Sequence, residues 1–404
     1  MKEMPNGPLS GVKVLDLTTE VSGPFATQIL GDFGADIIKV ESIEGDPQRK
    51  NGIIFAPGFS SIHLSINRNK RSLSVNLKTE DGKKILKRLI EQTDIIIHNM
   101  RISAIEKLGF GYEDVKHISP EVVYCAITGF DQDGPFRHKP AFDEIIQAGS
   151  GLVNLGNRND KKPEYVPTVL ADKTAGMALV NAVLASLFVK ERTGKGQYVE
   201  VPMFETMVAF TLIEHMGGMI KNPTEGTAGY ARILAGGRSP YPTSDGYISM
   251  LPYTVDHWEN LFRDAGFEKI GDELGISDRI TRGVNTKAVY ATLHKIISMK
   301  TTQEWIEVCE RLDIPASIVY TLEDLPSHPQ LSSVKLFEND EHLTVGNMRY
   351  VRPATKFSQT PACVRSHAPG LGQDTRQILK EIGYLETEIE KMISQDIVKI
   401  YTPI

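Results

Sequence analysis

One acid stands out as a group able to do covalent chemistry. Asp172 follows the short apolar run 168–171 and opens the segment 172–188, DKTAGMALVNAVLASLF. A carboxylate there is a nucleophile that can take an acyl group as a mixed anhydride, with no metal and no partner base. The run 168–171 reads as the end of a buried strand, and Asp172 as the N-cap of a long helix, its carboxylate accepting from backbone N–H groups. Structural capping alone is the competing account of this acid. The positive end of the helix favours the ionised form. An unperturbed aspartate, with a pKa of about 3.9, is in any case ionised at neutral pH. Ala175 and Gly176 are small, so something bulky can approach the start of the helix closely. No Ser-His-Asp or Cys-His set is apparent: Cys125, Cys309 and Cys363 are far apart with no CxxC pair, and His138 reads as a solvated loop residue between Arg137 and Lys139. Scattered cysteines of this kind read as small core residues in a reducing compartment.

The elements that must position this acid are of α/β type. Residues 11–17 (GVKVLDL) predict a strand, 18–23 a turn, 25–33 a helix stopped by Gly34, and 36–41 a second strand. Strand, tight loop, helix and strand in this compass form a βαβ unit of a doubly wound sheet. The glycines do not follow GxGxxG, so no dinucleotide is implied. Residues 43–68 read as a long irregular loop, 72–77 and 94–98 as strands around a helix over 80–92, and 122–127 as a further strand. Asn99-Met100-Arg101 then falls at a strand's C-terminal end, where open α/β sheets hold ligands. The segment 154–167 reads as a loop delivering the chain to Asp172. Beyond it come the long helix, apolar on nearly every face and therefore expected to be buried, a strand over 197–203 and a helix over 204–219. Composition shifts to Gly, Pro, Thr and Ser over 222–242, and 247–320 reads as a smaller unit of strands and helices. The tail shows strand-like 343–348 and a final helix over 375–381.

The formal charge of −6 is spread along the 404 residues, which argues against nucleic acid and anionic membrane as partners. No run is read as approaching the roughly 20 apolar residues of a membrane span, and MKEMPNGPLS lacks an apolar signal core. A cytoplasmic protein is expected.

Asp172 with its small-residue helix, Arg192-Thr193-Gly194-Lys195-Gly196-Gln197 and Val199-Glu200-Val201-Pro202-Met203 together resemble the family III CoA-transferases, the CaiB/BaiF family. The resemblance recurs in GVKVLDLTTEVSGPFATQILGDFGADIIKVES, in NKRSLSVNLKTEDG at 69–82, IIHNMRISAIEKLGFGYEDV at 96–115, GFDQDGP at 129–135 and APGLGQDT at 368–375. It implies a Rossmann-like, discontinuous large domain (1–221 and 326–404) with an open, mostly parallel sheet, a smaller α+β domain (222–325), and an interlocked homodimer or a heteromer with a paralogous subunit. It implies transfer of CoA from an acyl-CoA to a carboxylic acid through an anhydride and a CoA thioester on Asp172, with coenzyme A and acyl-CoA as substrates and no prosthetic group. By the same resemblance Glu20, Val21 and Ser22 lie beside the thioester. Valine at 21, where formyl-CoA transferases carry glutamine, disfavours a formyl/oxalate pair. Arg71, Asn99, Met100, Arg101, Ala104 and Lys107 contact CoA, Lys139 and Phe142 flank the pantetheine or acyl region, and Met203 lies near Asp172. Gly236 and Gly237 stand where relatives carry a glycine loop that shields the intermediates and offers N–H donors to oxyanions. The alternatives are an α-methylacyl-CoA racemase, disfavoured because Phe142 replaces its histidine and cannot take a proton, and a subunit that only binds acyl-CoA. A succinyl-CoA donor with a dicarboxylic or aryl-substituted acceptor is the preferred pair. Arg137, Lys139, Arg232 and Arg238 are the loop cations that would meet a second carboxylate.

Overall fold

The computed structural model describes residues 7–155, 162–234 and 239–402. It divides into two compact units, one of residues 1–153, 164–212 and 334–404, the other of 154–163 and 213–333. In the larger unit β1 (Lys13–Leu17), β2 (Asp36–Glu41), β3 (Lys70–Val75), β4 (Ile95–His98), β5 (Val123–Thr128) and β6 (Tyr198–Pro202) run parallel. The two-residue β7 (Val398–Lys399) closes one edge antiparallel to β3. The order β7-β3-β2-β1-β4-β5-β6 reverses direction beside β1. The crevice above the C-terminal ends of β1 and β4 is therefore the topological switch point where such sheets bind ligands.

The central strands β4 (IIIH) and β5 (VYCAIT) are almost continuously apolar because both faces are covered. Leu15, Leu73, Ile96 and Tyr124 point to one side, and Val14, Ile37, Ile95, Ile97 and Cys125 to the other. The helices of this unit are α1 (Ser22–Asp32), α2 (Ser61–Ile66), α3 (Glu80–Ile90), α4 (Ile102–Leu108), α5 (Tyr112–Ile118), α6 (Asp143–Gly149), α7 (Leu170–Thr193), α8 (Met203–His215), α9 (Thr375–Glu381) and α10 (Glu386–Ser394). Residues of α3, α5, α9 and α10 fill the first core, and residues of α1, α6, α7 and α8 the second.

Several expectations are corrected. Residues 168–171 form no strand; the chain enters α7 at Leu170. At 24 residues α7 is long and apolar enough, by length and composition alone, to cross a membrane, contrary to the reading that no run comes close. Ala171, Ala175, Leu179, Val180 and Val183 pack in the sheet's core, which makes it a core helix of this unit. Nor is it buried all round, since Met177 and Phe188 are exposed. The stretch 43–68 is ordered by a 3₁₀ turn (Pro47–Lys50), a short hairpin (Ile54–Ala56 with Phe59–Ser60) and α2, whose N-cap Ser60 accepts from His63 N–H. The strands of the tail are Phe337–His342 and Gly346–Val351, with Leu343 in their turn, and α9 is followed by α10 and β7.

The smaller unit is α+β. A three-stranded antiparallel sheet (Tyr241–Pro242, Tyr247–Met250, Ala316–Ile318) packs with helices that include Val255–Asp264, Thr286–Ile297 and Thr302–Arg311 around Trp258, Phe262, Leu293 and Trp305. Helices Glu268–Leu274 and Arg279–Val284, absent from the sequence reading, belong to it as well.

Candidate active site

Val169, with no side-chain cap, is the N-cap of α7, so Asp172 is its third residue and not the cap. The carboxylate is thereby released from capping. Instead the Asp172 N–H donates to Asp143 Oδ1 at 3.1 Å. Asp143, buried in the first turn of α6, is held in turn by Gln147, whose Nε2 donates to Asp143 Oδ2 at 2.5 Å and to Thr168 O at 3.1 Å. Gln147 Oε1 accepts from Val166 N–H at 3.0 Å, so one side chain ties α6 to the segment that feeds α7.

Above Asp172 lies the first turn of α1. The two helices approach at Gly176, where an added Cβ would stand 2.8 Å from Ser22 O and 3.0 Å from the Phe25 ring. The small residues after Asp172 therefore admit another helix. That close approach brings the Ser22 hydroxyl near enough to the Asp172 carboxylate to favour its ionised form. The environment corrects the expectation of an unperturbed acid. Burial, then the Asp143 carboxylate, and further off Glu20 and Glu144, push the Asp172 pKa up to about 7, with the Ser22 hydroxyl opposing them.

The loop between β1 and α1 is fixed from below and from the side. Lys39, fully buried, donates to Thr18 O at 2.8 Å and to Asp46 Oδ2 at 2.9 Å. Asp46 Oδ1 accepts from Glu20 N at 3.3 Å, and Gln48 Nε2 donates to Glu20 Oε2 at 2.5 Å. These contacts hold Glu20 at a φ of 65°, in the left-handed region that non-glycine residues seldom occupy. Asp16 accepts from Thr18, Thr27 and Lys70, and burial draws the Lys70 pKa down to about 8. At the side, Asn99 bridges the switch-point crevice: its Oδ1 accepts from Thr19 N at 3.0 Å and its Nδ2 donates to Thr19 O at 2.7 Å.

The remaining expected site residues fall into distinct settings. Val21 is the N-cap of α1. Arg101 is the N-cap of α4, and Ala104 and Lys107 follow on that helix; all three are exposed. Neither Arg101 nor Lys107 has an ion pair among the described residues, so both cations are free to meet an anion. Met100 packs at the edge of the core. Arg71 differs: its guanidinium is taken up by Asp36 and Glu381, at 2.7 Å from each, and ties β3 to β2 and α9. Lys139 lies over the Phe136 ring, 3.5 Å from its centre. The Phe142 ring is 64% exposed at the N-cap of α6, and Met203 packs in the same core cluster as Ala171. Gly236, Gly237 and Arg238 lie outside the described residues, as does the side chain of Arg232.

Asp143, Gln147, Lys39 and Asp46 were not anticipated as parts of the site. Two signals for them exist in the sequence: the i, i+4 spacing of Asp143 and Gln147 on a short helix, and a lysine set inside the strand DIIKVE.

Comparison with known proteins agrees with this geometry. The profile of CoA-transferase family III matches residues 9–375. Over 397 residues the chain is 32% identical to succinyl-CoA:glutarate CoA-transferase of Mus musculus, covering 97% of this chain and 90% of that one. It is 30% identical to the succinyl-CoA–L-malate CoA-transferase beta subunit of Chloroflexus aurantiacus, covering 97% and 98%. A solved CaiB/BaiF family protein of Brucella suis superposes with a TM-score of 0.82 at 27% identity, covering 93% of this chain and all of that one. A Rossmann-ordered sheet, an acid at the converging first turns of two helices and a match along nearly the whole length lead to one conclusion: the chain belongs to the family III CoA-transferases and is a CoA-transferase.

Proposed function

We propose that the enzyme moves CoA from succinyl-CoA to a dicarboxylic acid, with Asp172 as the covalent carrier. The carrying observation is the Asp172 carboxylate released from capping at the close approach of α1, whose Ser22 hydroxyl stands near it. An Asp172 oxygen attacks the thioester carbonyl, the C–S bond breaks, and CoA thiolate leaves behind a mixed anhydride. The thiolate then attacks the aspartyl carbonyl and expels succinate, giving aspartyl-CoA. The acceptor carboxylate displaces thiolate from that thioester to form a second anhydride. Thiolate attack on the acceptor's carbonyl finally frees Asp172 and the new acyl-CoA. The α1 N-terminus and the Ser22 hydroxyl are the donors available to the developing oxyanions.

Three features support the substrate assignment. Val21 stands where formyl-CoA enzymes carry glutamine, the Mus musculus relative is named for succinyl-CoA and glutarate, and Arg101 and Lys107 are free for the CoA phosphates. We further propose a cytoplasmic homodimer, complete as a catalyst without a second gene product, with unpaired cysteines of which Cys125 and Cys309 are buried. In the test, the chain purified alone is given succinyl-CoA and glutarate, and the CoA esters and the intact protein are read by mass spectrometry. Glutaryl-CoA should form, and hydroxylamine should trap acylated Asp172. Asp172→Ala should lose transfer by several orders of magnitude. Transfer that survives in Asp172→Ala sinks the mechanism, and a wild-type chain inert alone sinks the homomeric reading.

A further inference from the structure

We infer that Asn99 is a positioning residue, which acts by clamping the β1–α1 loop that carries Ser22 to the close approach beside Asp172. The inference rests on Asp172 being the carrier. Both polar ends of the Asn99 side chain are already engaged, one by the Thr19 N–H and the other by the Thr19 carbonyl, at 3.0 and 2.7 Å. Together the two bonds fix the orientation of the amide on Thr19, while each end keeps one further hydrogen-bonding site. The bond also spans the crevice of the sheet: Thr19 follows β1, Asn99 follows β4, and these strands are neighbours on the two sides of the order reversal.

The loop needs such a clamp. Its second residue after Thr18 is Glu20, held at a φ of 65°, and a non-glycine residue stays there only where its surroundings compel it. Lys39 and Asp46 supply the compulsion from beneath, through Thr18 O and Glu20 N. Asn99 supplies it from the side, at the one residue between them. Two residues beyond Glu20 the chain becomes the first turn of α1, so a relaxed loop moves Ser22 away from its close approach to α7 and from the Asp172 carboxylate. The charges that bear most on Asp172 are acids, Asp143 and Glu144 from α6 and Glu20 from the loop itself, while the neighbouring Lys173 is turned to Thr168 Oγ1 at 2.6 Å. Ser22 is the group that opposes those acids, so it favours the ionised form of Asp172. Loss of the clamp should therefore make the acid harder to ionise.

Asn99 is partly exposed, so its replacement is gentler than that of the buried Lys39, whose loss would strand Asp46. Asn99→Ala, Ser22→Ala and the double variant are assayed for succinyl-CoA-dependent transfer from about pH 5.5 to 8.5, with a thermal melt of each and intact-mass detection of acylated Asp172. The expected result is a fall in kcat of roughly tenfold in Asn99→Ala with KM for succinyl-CoA little changed. The acid limb should move to higher pH in both single variants, and the double variant should fall no further than Ser22→Ala, since the two act through one contact. A raised KM with an unmoved acid limb assigns Asn99 to CoA and overturns the inference, as does an additive double variant. The two readings fail separately: transfer by a wild-type enzyme that never acylates Asp172 removes the carrier and the clamp with it, whereas an acylated wild type with an unmoved limb in Asn99→Ala removes the clamp alone.

Discussion

The reactivity of Asp172 is set by which charges surround one carboxylate. At the end of a helix it would titrate low, yet burial and the Asp143 carboxylate raise it to about 7. The folded value exceeds the free value of 3.8, so this group's contribution to stability is full below about pH 4 and falls as pH rises to about 7. Its ionised form thus costs folding free energy and supplies nucleophilicity. The rate of Asp172 acylation should accordingly rise with pH through about 7 and level off above it. Asp143→Asn removes the nearest like charge, so the acid limb should shift down by roughly one pH unit. The same substitution brings an amide against Gln147 Nε2 and should cost about 1 kcal/mol of stability. A stopped-flow pH profile of thiolate release, beside a melt, reads both. A limb that stays in place in Asp143→Asn would show that burial alone raises the acid.

The contact of α1 with α7 carries that residue-level chemistry, and its requirement is a missing side chain. In Gly176→Ala the new Cβ would stand 2.8 Å from the carbonyl of Ser22, a backbone atom that cannot rotate aside. The helices must part, at a cost of roughly 1–3 kcal/mol, and Ser22 must leave Asp172. Melting temperature and kcat should fall together, whereas Gly283→Ala, in open space on its own helix, should leave both near wild type. Equal behaviour of the two variants would mean that the close approach is not needed. Much of this arrangement was legible beforehand. Alternation and β-branched runs reveal β1, β2 and β4, and Asn99-Met100-Arg101 falls at a strand end because the apolar run stops there. The start of α7 was misread because Thr168 to Ala171 is apolar and short, a pattern shared by a strand end and the first turn of a helix. Asp143 escaped notice because its role depends on Asp172, which lies 29 residues further along the chain. The charge network escaped for the same reason: Lys39, Asp46, Lys70 and Asp16 look like scattered surface charges until the sheet gathers them.

At the scale of the molecule, the surface left by this fold is the informative feature. A helix as apolar as α7 should be covered on all sides, yet Met177 and Phe188 are 58% and 62% exposed, and Phe210 on α8 is exposed as well. Single exposed apolar residues are ordinary, but a core helix with an uncovered apolar side fits burial by a second chain. The family resemblance calls for two chains threaded through each other. Light scattering should then report about twice 44.8 kDa, and Phe188→Glu should lower the assembly's stability by placing a charge where an apolar ring is covered. Threading adds a kinetic expectation that a simple face-to-face dimer lacks. Linked chains cannot exchange without unfolding, so tagged and untagged dimers mixed under native conditions should yield no mixed species over days. Denaturation and refolding together should then yield about half mixed dimers by random pairing. Exchange within hours under native conditions would leave a dimer but remove the interlock, and a monomer by light scattering would remove both.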